Sequence, residues 1–193
     1  MTAAYAPLTR AVRELIDATV RTQADDDVVE QARSAIEAVT RSLLSQRTRP
    51  PGVSYRIDGR PLPLGNAATG QCNPIAPPLV VHHEADGRCW SEFDLGPAYE
   101  GPPSLVHGGV SALVLDHMLG EAASQGMTKP LFTGTITVKY LRGTPLGPLR
   151  AEAYIERSEG VKAFARGHIS DAAGVTVEAE GVFIMPAWAR EAQ

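Results

Sequence analysis

Residues 106–116 read Val-His-Gly-Gly-Val-Ser-Ala-Leu-Val-Leu-Asp, a glycine pair at the head of an apolar segment that carries a single carboxylate, Asp116. Glycine lets the backbone approach a ligand closely, and the first amides of a helix have no intrahelical acceptor. Those amides lie at the positive end of the helix dipole and stabilise negative charge. Attack on an acyl carbonyl creates such charge on oxygen, and a preorganised backbone donor aimed at it contributes about 2.7 to 4 kcal/mol. Gly108 and Gly109 are placed to be those donors, so the stretch has the chemistry of an acyl-transfer site. Pro102 and Pro103 disfavour helix upstream and put its start near His107.

At about 100° per residue, Gly109, Ala112, Asp116, Gly120 and Ala123 share one narrow stripe, in which Asp116 is the only long side chain. Val110, Leu113, Val114, Leu115, Met118 and Leu119 cover most of the remaining surface, which predicts a buried helix. A carboxylate on such a helix is paired, hydrogen-bonded or functional. The small-residue stripe and the glycine mouth favour function over an ordinary core aspartate. Asp116 lies about 10 Å along the axis from Gly109, too far for one helix to present both at one carbonyl. Two helices packed antiparallel about a two-fold axis would join the glycine mouth of one subunit to Asp116 of the other. An obligate homodimer with sites at the subunit interface is therefore expected, with a tetramer left open.

His107-Gly108-Gly109, followed by Asp116 nine residues after the histidine and then by Gly and Ala, resembles the PaaI-like hotdog thioesterases. The resemblance extends from Asn-Pro-Ile-Ala-Pro-Pro at 73–78, through Tyr-Glu-Gly-Pro-Pro at 99–103, to Thr-Gly-Thr-Ile-Thr-Val-Lys-Tyr at 133–140 and on to Phe183, a little over half of the chain. It implies a dimer that hydrolyses an acyl-CoA thioester, with a curved antiparallel sheet wrapped around a central helix, here residues 107–126. It also implies roles: Asp116 as general base or nucleophile, the Gly109 amide as oxyanion donor, and His107 orienting the thioester or fixing the loop. Thr133, seventeen residues past Asp116, matches a Ser or Thr that positions the water or the carboxylate; by type alone it is equally an ordinary strand residue. There is one departure. Many members carry Asn or Gln six residues before the motif histidine, but Gly101 stands there, so polarisation falls to His107 or another group.

For the substrate, Lys139 and Arg142, with Arg150 and Lys162 behind them, are the cations that would meet CoA phosphates, although solvated surface is the default for each. Leu113, Met118 and Phe132 are expected in an apolar acyl wall beside the helix. His82 and His83, adjacent on a strand, point to opposite faces and make a poor chelating pair. Adding His117, Glu121 and His168 gives no recognisable ligand spacing, and neither metal nor cofactor is expected. Cys72 and Cys89 match no metal or redox pattern and read as buried small hydrophobes.

These groups need a scaffold. With 193 residues and 44% hydrophobic content, the chain suffices for one enzyme domain with a substantial core. A net charge of −4 gives no general attraction to nucleic acid or anionic membrane, so phosphate binding must be local. With no signal peptide or spanning segment read and few thiols, a cytoplasmic enzyme of lipid metabolism is expected. Residues 1–48 form a helical extension, two helices within 8–47: Val12, Leu15, Ile16 and Val20 recur at helical spacing in one, and Ile36, Val39, Leu43 and Leu44 face one side of the next. The extension reads as a packing appendage, with cover of the acyl pocket, dimer support or a partner surface as alternatives. A Pro/Gly-rich irregular connection spans 49–78 and the hotdog domain 79–187. Strands are expected at 79–84 and 88–95 across an Asp86-Gly87 turn, then at 132–142, 149–157, 162–170 and 175–185. One long apolar helix within antiparallel strands makes the fold class α+β. Acyl-CoA hydrolysis leads. A hotdog enoyl-CoA hydratase or dehydratase and a non-catalytic acyl-CoA sensor stay as alternatives, because one fold hosts several chemistries.

Overall fold

The N-terminal residues form two helices, α1 (Thr2–Arg21) and α2 (Asp26–Leu44), in a computed structural model that describes residues 2–45, 55–57, 60–62 and 64–190. The two differ in how they are held. In α1, the Thr9 hydroxyl donates to the Gln71 carbonyl at 2.9 Å, Arg13 donates to the Ala76 carbonyl at 3.1 Å, and Asp17 accepts the Ala98 amide at 3.2 Å. By contrast, α2 buries no residue.

Part of the 49–78 connection lies outside the described residues. Where it is described, it is more ordered than its composition suggests. Tyr55–Ile57 (β1) and Arg60–Leu62 (β2) pair antiparallel, and Leu64, Ala68 and Ala76 are buried. Asn66 explains the order: its side-chain oxygen accepts the amides of Ala68 and Thr69, bending the chain into a self-bonded turn.

Gly87, with φ of 89°, closes the Asp86-Gly87 turn between β3 (His82–His83) and β4 (Cys89–Leu95). The strand expected at 79–84 is shorter because the Leu79 amide donates to the Pro77 carbonyl and the Val80 amide is taken by the Ser91 hydroxyl. After β4 come a 3₁₀ turn (Pro97–Tyr99), the central helix α3 (Gly108–Ala123), and strands β5 (Phe132–Tyr140), β6 (Gly147–Glu159), β7 (Lys162–Asp171) and β8 (Gly174–Ile184). A short α4 (Ala187–Arg190) follows. The helix stops at Ala123 rather than 126 because Ser124 turns its hydroxyl onto the Gly120 carbonyl and accepts the Met127 amide. Gln125, Gly126 and Met127 then run at positive φ.

The six-stranded antiparallel sheet has the order β3-β4-β6-β7-β8-β5. Along β6, Leu149, Ala151 and Ala153 are buried while Pro148 and Tyr154 are exposed, the alternation of a sheet with one wet face. The inner face is lined by small residues, Ala151, Ala153, Ala163, Ala165 and Ala179, so a helix can lie close against it. Because α3 touches β4 through β8, the sheet must curl around it. This is the α+β hotdog arrangement implied by the sequence resemblance. Val114, Leu115, Met118 and Leu119 are fully buried, and each contributes about 1.5 to 3 kcal/mol through burial.

Candidate active site

His107 caps α3. Its backbone is extended at φ −61° and ψ 133°, and its ring Nδ1 accepts the Gly109 amide at 3.0 Å. The expected oxyanion donor at Gly109 is thus held by the histidine, whereas the Gly108 amide has no acceptor among the described residues. Tyr140 was not singled out in the sequence, yet its hydroxyl donates to the Gly108 carbonyl at 2.8 Å and pins the helix mouth. A Cβ at Gly101 would stand 2.7 Å from the His107 Cα. That contact explains the missing Asn or Gln, since the backbone at 101 closes directly on the motif histidine.

Asp116 is half-buried on the face of α3 that the sheet leaves open, together with Ala112, Leu113 and Gly120. The small-residue stripe closes at its lower end, where Ala123 is buried. The Thr133 hydroxyl donates to Asp116 Oδ1 at 2.9 Å, so the two residues that lie seventeen apart in sequence meet in space. A β-bulge makes this possible. Thr133 is registered with Phe183 and Thr135 with Val182, leaving Gly134 as the extra residue. Phe183 belongs to the core, so the bulge puts Thr133 on the helix side of the sheet, where unbroken alternation from Ile136 and Val138 would have turned it outward. Gly134 itself is confined: a Cβ there would lie 2.8 Å from the Ile184 side chain.

The remaining residues divide. Leu113 lines an apolar cavity of about 190 Å³ with Ile16, Ile75, Tyr99 and Val110, and Phe132 is largely exposed beside Thr133. Met118 is fully buried against the sheet, so it is core and not acyl wall. Lys139 is registered with Glu178 on the outer face, in a polar groove with Arg166 and His168, and does not meet Asp116 within one chain. Arg142 clamps the β7–β8 turn, donating to both Asp171 oxygens and to the Gly174 carbonyl. This pair holds the Asp171 carboxyl down to about 2. Arg150 is paired with Glu92 and Glu152, and Lys162 opens β7 opposite Glu159. Arg142 and Arg150, the cations expected to meet phosphates, are thus both engaged in ion pairs within the chain.

Two histidines flank a buried glutamate at the far end of α3. Glu121 has His117 Nε2 at 3.3 Å from one oxygen and His83 Nε2 at 3.4 Å from the other, while His82 turns away to stack on Trp90. Cys89 is buried beside this group, its thiol pushed up to about 12 by desolvation and then by the Glu121 charge. It is the inert small hydrophobe expected; Cys72 is half-buried.

The thioesterase superfamily model matches residues 104–178, from just before the glycine mouth to β8. A crystal structure of a thioesterase superfamily protein is 33% identical, covers 93% of this chain and 90% of that one, and superposes with a TM-score of 0.81. The chain belongs to the thioesterase superfamily. Among other superfamily relatives, acyl-coenzyme A thioesterase THEM4 of Xenopus laevis is 32% identical over 108 residues, 54% of this chain and 48% of that protein. The chain thus spans about half the length of that curated relative. A phenylacetic acid degradation-related protein from Ralstonia eutropha, described as a putative thioesterase, shares the fold at 20% identity, with a TM-score of 0.52 over 55% of this chain and 84% of that one.

Proposed function

We propose that this superfamily member hydrolyses the thioester of a fatty or aryl acyl-CoA to the free acid and CoA. The observation that carries the reading is the 2.9 Å hydrogen bond from Thr133 to Asp116 on the open face of a glycine-headed helix. Thr133 holds Oδ1, leaving Oδ2 for the reacting water. As the water oxygen bonds to the thioester carbon, its proton passes to Asp116 and the carbonyl oxygen takes up negative charge. The glycine amides stabilise that oxyanion: the Gly108 amide is open, and the Gly109 amide becomes available when it exchanges the His107 ring for the substrate oxygen. Collapse breaks the carbon–sulfur bond, and the thiolate leaves as the thiol with the proton from Asp116. Direct attack by Asp116 through an acyl anhydride is the other course for the same residue. The acyl-CoA class is supported by the name of the Xenopus relative, and the Leu113-lined cavity beside the site supplies apolar wall for the acyl group.

The site is completed by a second subunit. Gly109 and Asp116 are about 10 Å apart along α3, and β5 is an open sheet edge with Phe132 and Tyr140 more than half exposed. Such an edge seeks another strand, and a two-fold pairing there would bring two copies of α3 toward each other. Thiol release from acyl-CoAs of graded chain length tests the chemistry: release is expected from the wild type and is lost in Asp116→Ala with binding kept. Hydration of an enoyl-CoA without thiol release, or binding with neither reaction, would overturn hydrolysis. Mixing Asp116→Ala with Gly109→Phe subunits tests the shared site, since active heterodimers are expected from inactive parents.

A further inference from the structure

The proposed hydrolysis makes no use of α1, which is nonetheless tied to the rest of the chain. Thr9, Arg13 and Asp17 recur every four residues and so share one face of that helix. Each is bonded to chain far away in sequence, at the Gln71 carbonyl, the Ala76 carbonyl and the Ala98 amide. Gly96 lets the last contact close, because a Cβ there would stand 2.9 Å from Asp17 Oδ2. Tyr99 is buried under the same helix, and its hydroxyl donates to the Ala76 carbonyl at 3.0 Å. These bonds fix the position of Ile16, which lies on the held face beside Asp17 and is half-buried.

Ile16 of α1 and Val110 and Leu113 of α3 line the same cavity of about 190 Å³, together with Ile75 and Tyr99. Leu113 stands about 40° round α3 from Gly109 and about 60° from Asp116. The cavity therefore flanks both the glycine mouth and the carboxylate, and an acyl group whose carbonyl oxygen sits at the mouth has this space beside it. The lining side chains are apolar, and the Tyr99 hydroxyl among them is turned onto a backbone carbonyl. A dry apolar cavity of about 150 Å³ takes up benzene. The slightly larger space here has room for a single ring or a straight chain of about six carbons before it meets α1.

We infer that α1 is the end wall of the acyl site and that Ile16 sets the longest acyl group accepted, at a single ring or about six carbons. The inference rests on the acyl-CoA reading of the same site, and two measurements keep them separable. Thiol release is followed with butyryl-, hexanoyl-, octanoyl- and decanoyl-CoA, and binding of the matching non-hydrolysable thioethers is followed by calorimetry. In the wild type both are expected to peak near hexanoyl, with kcat/KM about tenfold or more lower for decanoyl-CoA. Ile16→Ala deepens the cavity and is expected to move the peak to octanoyl; Ile16→Phe fills it and is expected to move the peak to butyryl, each by about tenfold in the ratio of the neighbouring lengths. Opposite shifts from one position do not arise from loss of folding. A wild-type optimum at decanoyl, the same profile in all three proteins, or losses uniform across every length would overturn the inference while hydrolysis stood. Shifted binding profiles without thiol release would overturn hydrolysis and keep the wall. No binding of any thioether would overturn both.

Discussion

Helices α3 and α2 are of similar length and both are rich in apolar residues, yet one is the centre of the molecule and the other touches it hardly at all. In α3 the apolar residues cover most of the circumference, and the sheet meets them with alanines, so Val114, Leu115, Met118 and Leu119 leave water completely. In α2 they occupy one seam, backed by charged residues paired along the helix, and none of them is buried by the described residues. Apolar content alone does not place a helix. Its distribution around the axis decides how much of the helix a curled sheet can cover. The polar groups also differ in kind: on α3 Asp116 is held by one hydroxyl and Glu121 lies between two histidines, while the α2 charges form a solvated flank.

The largest test of this contrast is Asp116→Asn. Thiol release is expected to fall by about 10²- to 10⁴-fold, the usual worth of a positioned acid–base group, with the circular dichroism of the fold retained. Next is the packing contrast itself. Leu115→Ala is expected to cost about 2 to 5 kcal/mol in denaturant unfolding, whereas Leu43→Ala is expected to change the stability of the catalytic core by less than about 0.5 kcal/mol. Equal costs would show that α2 is part of the core after all. Thr133→Ala removes one hydrogen bond to a charged group, and a loss of about 10- to 100-fold in kcat is expected from its roughly 1.5 to 3 kcal/mol. Thr133→Ser should recover most of it, which a merely structural role for the bulge would not require.

The smallest effect concerns acid. Arg142 depresses the folded carboxyl of Asp171 to about 2, so the pair's contribution is complete above the unfolded carboxylate value, near pH 4, and is lost as pH falls toward 2. In a pH titration of unfolding, Arg142→Ala should flatten that part of the wild-type curve and leave the curve above about pH 5 parallel to it.

Much of the fold was legible because its cues are local. The Asp86-Gly87 turn, the alternation along β6 and the prolines ahead of His107 each act within a few residues, and each element lies near its expected place. The site was legible in part. Asp116 and the glycine mouth were named from type and spacing and Thr133 from the family resemblance, but the way they meet was not. The bulge at Gly134, the Tyr140 hydroxyl on the Gly108 carbonyl and the closure of Gly101 on His107 all join residues from different elements. A glycine inside a strand pattern was the one available sign of the bulge. Lys139, Arg142 and Met118 were read by residue type, which does not say that Lys139 lies on the outer face of the sheet, that Arg142 meets a carboxylate at the β7–β8 turn, or that Met118 is on the buried side of α3.

The sequence by itself determined the helix head, the carboxylate of Asp116 on its small-residue stripe and the antiparallel strands around it, because capping, periodicity and turn chemistry depend on neighbours in the chain. Only the tertiary structure decided which face of α3 stays open, which amide at its mouth is free, and which cations are already paired. Those outcomes depend on contacts between residues far apart in sequence, such as Thr133 with Asp116 and Tyr140 with Gly108, whose geometry is set when the sheet closes on the helix.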